Sequence, residues 1–66
     1  MTKREVLKKI EYARQRHSAW AQHWDRKRGH MTKQDRIEQK VKGTASFHRK
    51  WVGFYRLLAD VVKASG

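Results

Sequence analysis

Val6, Ile10, Ala13, His17, Trp20 and Trp24 recur at alternating spacings of four and three residues. In an α-helix this spacing puts all six side chains on one stripe, and no strand-period alternation competes with it. No proline interrupts the chain, so a helix can run for as long as the apolar pattern sustains it. The fold class expected is all-α.

The ends of the first helix can be read from capping chemistry. Thr2 and Glu5 have capping-box spacing, with a hydroxyl that can accept from an early backbone N–H and a carboxylate that can reach back. Arg26, Lys27 and Arg28 load the last turn with cations, which suits the negative end of a helix, and Gly29 can adopt the left-handed conformation beyond it. Helix 1 is therefore expected at about residues 2–28. A second start follows at Thr32 with Asp35, opening a helix over about 32–42 that has few apolar residues: Ile37, Val41 and the neighbouring Met31. Gly43 to Ser46 reads as a break with Ser46 as N-cap. Phe47, Trp51, Phe54, Leu58 and Val61 then define the core stripe of helix 3, about 46–64. Gly53 lies inside that helix, where glycine costs about 1 kcal/mol relative to alanine, a cost that a close backbone approach would explain.

The series Ile37, Val41, Thr44, His48, Trp51, Tyr55, Leu58 and Val62 keeps a heptad-like spacing straight through Gly43. It describes a different molecule, a helical hairpin with one long second helix. The three-helix domain is the preferred reading of the two. In either, Tyr55, Leu57 and Val62 widen the apolar arc of helix 3 beyond what one neighbour can cover. A second copy could cover the remainder, so a dimeric helical bundle is expected.

Size and composition support that expectation. The 66 residues make one small domain, 1–66, whose core alone is marginal. The chain has no cysteine, hence no disulfide or thiolate metal site, and oligomerisation or a partner remains as the stabilising route. Seven aromatics are too much core material for a disordered tail. No apolar run reaches membrane-spanning length, and Ala13 and His17 dilute the apolar face of helix 1, which disfavours a membrane-surface role. A reducing cytoplasmic setting is expected.

Charge gives the clearest indication of a partner. Seventeen Lys and Arg against six Asp and Glu leave a net charge of +11, divided among residues 3–16, 25–42 and 47–66 as +4, +4 and +3. The excess is thus built into every element. A folded body of this size with that balance repels itself unless anions are nearby. Arg49, Arg56 and Lys63 recur every seven residues opposite the aromatic face of helix 3. Lys9, Arg16 and Lys27 share a flank of helix 1 with Tyr12 and His23, while Gln15, Gln22 and Arg26 lie on its outer face. Arg26, Lys27, Arg28, Lys33, Arg36 and Lys40 concentrate around the first inter-helix segment. Cations and amide donors on rigid helices are what tracking a phosphate backbone requires.

The function expected is non-catalytic nucleic-acid binding, DNA in preference to RNA, through these eleven cations. Trp20, Trp24 and Trp51 read first as core or dimer-interface residues, with Trp24 as the alternative candidate to stack on a base or dock in a groove. The alternative is a small regulator or inhibitor, of the phage- or plasmid-encoded kind, that docks onto an acidic surface of a larger protein such as a nucleic-acid enzyme. No zinc-finger, RNA-recognition or basic-zipper pattern is present. A helix-turn-helix at Gly43 would need core residues where Gln39, Lys42 and Thr44 stand. His17, His23, His30 and His48 include no i,i+3 or i,i+4 pair, so no metal is expected. His17 instead reads as a hydrogen-bonded core histidine, brought towards Phe47 or His48 by an antiparallel return. The acids are scattered, with Asp25, Asp35 and Asp60 read as capping or ion-pair residues, and neither a nucleophile–base arrangement nor a phosphate loop is suggested. No cofactor is expected.

Overall fold

In the computed structural model, which describes residues 1–65, α1 spans Lys3–Arg26, α2 Lys33–Lys42 and α3 Ala45–Ala64. The described residues contain no strand, and none of the helices they form is long and apolar enough to cross a membrane. Thr2 caps α1 by accepting from the Glu5 backbone N–H. Thr32 caps α2 with a complete capping box, its Oγ1 accepting from the Asp35 N–H while the Asp35 carboxylate accepts from the Thr32 N–H. The cap of α3 is Thr44, whose Oγ1 accepts from the Phe47 N–H, and not Ser46, which lies within the helix. Gly29 has φ +82°, the left-handed turn expected after α1.

The helices do not assemble into a three-helix bundle. α1 and α3 are the only pair whose backbones pack closely among the described residues, and they run antiparallel. Lys3 Nζ at the start of α1 donates to the Lys63 and Ser65 carbonyls at the end of α3, at 2.9 and 2.8 Å. α2 and α3 form one long arm, bent at Gly43 and Thr44, and the α3 half lies along α1. The hairpin reading describes the molecule better than the three-helix reading. Its extents of 48 × 17 × 16 Å are those of a rod two helices thick.

The bend is chemically specified. Gly43 has φ +103°, and a Cβ there would fall 2.5 Å from Phe47 Cδ1 and 3.0 Å from His48 Nε2. Any side chain would therefore be strained in the backbone and blocked in space. Gly53 is different. A Cβ on it would meet nothing within 4 Å, so no close backbone approach accounts for that glycine.

The core lies on the seam between α1 and α3, with Ile10, Ala21, Trp24 and His48 buried. α3 presents to it the face of the continuous series, His48, Tyr55, Leu58 and Val62, with Val52 and Ala59 between them. The expected core stripe is rotated outward: Phe47, Phe54 and Val61 stay 47–64% exposed, and Trp51 stands at the border. Apolar residues cover so much of α3 that hydrophobicity alone does not choose its rotation. Two polar contacts to α1 mark the rotation adopted. His48 meets His17, and Arg49 Nη1 donates to both carboxylate oxygens of Asp25 at 2.9 and 3.1 Å.

Candidate nucleic-acid interface

The seven-residue stripe of α3 is carried on one uninterrupted helix, so Arg49, Arg56 and Lys63 project from one side of it. Arg49 is tied to Asp25, while Arg56 and Lys63 are exposed and have no ion-pair partner among the described residues. Beside the stripe runs a shallow groove between the two packed helices. Ser18, Gln22 and Asp25 line it from α1, and Arg49, Gly53 and Arg56 from α3. The missing side chain at Gly53 leaves the space above the helix open between the two arginines. The Ser18 hydroxyl and the Gln22 amide can donate beside two guanidinium groups, which suits the oxygens of a phosphodiester chain, while the Asp25 carboxylate accepts from Arg49. Gln22 was legible as an outward donor of α1. Ser18 and the open position at Gly53 emerge only once α1 and α3 are paired.

The other candidate cations occupy different surfaces. Lys9 and Arg16 are exposed on the opposite flank of α1, where the Arg16 guanidinium carbon lies 5.8 Å from the centre of the Tyr12 ring. Arg16 also borders an apolar depression shared with Trp20, His23 and, from α2, Glu38. Arg26, Lys33, Arg36 and Lys40 are exposed near the turn and on α2, and Arg28 lies 3.9 Å from Asp25. Ten of the eleven cations are therefore solvent-facing, but they do not converge on one patch.

The eleventh has a structural role. Lys27 Nζ donates to Asp35 Oδ1 at 2.7 Å across the α1–α2 turn. The Asp35 carboxyl is held down at about 2, first by this ammonium and then by the Thr32 backbone N–H. Lys27 thus anchors the start of α2. A similar local pairing ties Arg14 to Glu11, whose carboxyl is also held near 2, chiefly by that guanidinium.

Trp24 is 1% exposed, which removes it as a stacking residue. Its ring lies 6.0 Å from Trp20, nearly parallel, and 4.7 Å from His23, edge to face. The bare length of α1 placed Trp24 beside the basic turn.

The histidine pair forms inside the seam. His17 Nδ1 lies 2.7 Å from His48 Nδ1, and the His17 ring lies 5.8 Å from both Trp51 and Tyr55, nearly parallel to each, with those two rings 5.7 Å apart. Burial, then the neighbouring His48, then Arg16 lower the His17 pKa from its ordinary value. Among the described residues no group of three His, Cys, Asp or Glu side chains is placed to hold a metal ion. In comparison with known proteins, the chain matches no family model, no curated sequence and no solved structure.

Proposed function

We propose that this chain is a small, non-catalytic nucleic-acid-binding protein, taking DNA in preference to RNA and gripping the phosphate backbone through helix-borne Lys and Arg. One observation carries the reading. Arg56 and Lys63 extend the stripe begun by Arg49 as exposed cations with no ion-pair partner among the described residues, beside a groove left open by Gly53. A solubilising surface needs no such groove, and glycine at an exposed mid-helix site costs about 1 kcal/mol that alanine would recover. The backbone contacts set position along the nucleic acid, and sequence preference, where present, comes from its shape and deformability. In this reading the protein acts in the cytoplasm as a homodimer.

The test is charge reversal on the stripe. Arg56→Glu with Lys63→Glu leaves the Arg49–Asp25 contact and the seam intact, so helicity by circular dichroism should not change. Gel shifts with duplex DNA and with RNA should show affinity reduced at least tenfold, more severely for DNA. Unchanged binding would exclude this stripe as the surface. Absence of binding by the unaltered protein, with capture of an acidic protein that survives nuclease treatment, would favour a protein-docking role.

A further inference from the structure

Phe47, Trp51, Phe54, Leu57 and Val61 are 47, 37, 50, 68 and 64% exposed along one edge of α3. The edge carries a single charge, Lys50. Its rings are already packed against one another, with Phe47 6.2 Å and Phe54 5.4 Å from Trp51, both edge to face. We propose that a second copy of this chain docks along this edge, with its α3 antiparallel to the first and centred on Phe54, forming a two-fold dimer.

Three observations select a second copy as the occupant. The first is area. Aromatic residues offer about 150–250 Å² each, so the five exposed fractions amount to on the order of 500 Å² per copy. Two copies would then bury on the order of 1,000 Å², the lower bound for a stable interface. Val41, 76% exposed and beside Phe47 at the bend, extends the same surface. The second is the monomer's need. Ile10, Ala21 and Trp24 are the only buried apolar residues among those described, a core too small for a chain with no disulfide.

The third is where the charge lies. Arg49, Arg56 and Lys63 point to the other side of α3, so pairing through the apolar edge keeps both basic stripes outward. The antiparallel register places Phe47 against Val61 of the second copy and Trp51 against its Leu57. Lys50 then lies along the apolar flank of the second copy, its stem covering carbon and its ammonium in water. A parallel pairing would instead set Lys50 against Lys50. Two bodies of charge +11 still repel at long range, and salt screens that repulsion. Pairing should therefore strengthen with salt, whereas nucleic-acid binding weakens.

The pairing supplies the homodimer that the nucleic-acid reading assumes, and it rests on that reading only for its consequence, two outward stripes on one particle. Sedimentation equilibrium without nucleic acid should give twice the 7.9 kDa chain mass at micromolar concentration, with tighter association at higher salt. Phe54→Asp should halve that mass and leave helicity unchanged. Because the chain has no cysteine, Phe54→Cys should form a covalent dimer on mild oxidation, while Asp60→Cys on the opposite side should not. A wild-type mass of 7.9 kDa at every salt concentration, or a dimer in which Phe54→Cys fails to cross-link, would overturn the proposal. A dimer that binds no nucleic acid supports the pairing and overturns only the reading of the basic stripe. A monomer that binds nucleic acid does the reverse.

Discussion

His17 and His48 meet across the α1–α3 seam with their Nδ1 atoms 2.7 Å apart, so one ring must donate the shared proton and the other accept it. Two imidazolium rings cannot occupy this geometry, since each Nδ1 would then carry a proton. Burial first, then the neighbouring His48 and Arg16, lower the His17 pKa from the ordinary 6.5.

The unfolded chain therefore takes up the His17 proton before the folded one does. Stability should be at its full level above about pH 6.5 and should fall as the pH drops through the lowered folded value. Asp35 and Glu11, held near 2, add losses only below about pH 4, which keeps the histidine window separate. The melting temperature should be lower at pH 5.5 than at pH 7.5, and His17→Gln should flatten the difference. A wild-type profile that is flat between those values would contradict the paired arrangement.

Gly43 and Gly53 should respond in opposite directions to the same change. Gly43→Ala forces a methyl group onto Phe47 and His48 at φ +103° and should destabilise by about 1–3 kcal/mol. Gly53→Ala meets no neighbour and should stabilise by about 1 kcal/mol. Denaturant melts of the two variants check this. If Arg49 and Arg56 hold a phosphate chain above Gly53, Gly53→Ala should also weaken nucleic-acid binding despite its added stability.

Trp24 reports on the core and not on a ligand. In a chain with Trp20→Phe and Trp51→Phe, the remaining Trp24 emission should be blue-shifted and insensitive to added oligonucleotide. Quenching on titration would mean that the residue becomes accessible in the bound state.

The sequence made α1 legible almost to the residue because its stripe is narrow and its start is marked by Thr2. The approach of His17 to Phe47 and His48 followed from that stripe and an antiparallel return. The rotation of α3 did not follow. Apolar side chains occupy so much of its circumference that Phe47, Phe54 and Val61 compete with Tyr55, Leu58 and Val62 for the seam. The deciding contacts, His17 with His48 and Asp25 with Arg49, join residues 31 and 24 positions apart. The same limit hid the groove, since Ser18 and Gly53 have no shared sequence signal. Thr44 and Ser46 are both good caps by residue type, and both follow Gly43, so the sequence alone does not choose between them. Lys27 looked like one cation among several until the turn brought Asp35 to it.

The most direct test of the central claim is the salt dependence of duplex-DNA affinity, followed by fluorescence anisotropy between 50 and 200 mM salt for the wild type and for Arg56→Glu with Lys63→Glu. Each phosphate contact contributes about −0.9 to the slope of log K against log salt. The account predicts a steep wild-type slope that becomes shallower by about two for each stripe in contact with the DNA. A salt-independent affinity, or the same slope in both proteins, would contradict it.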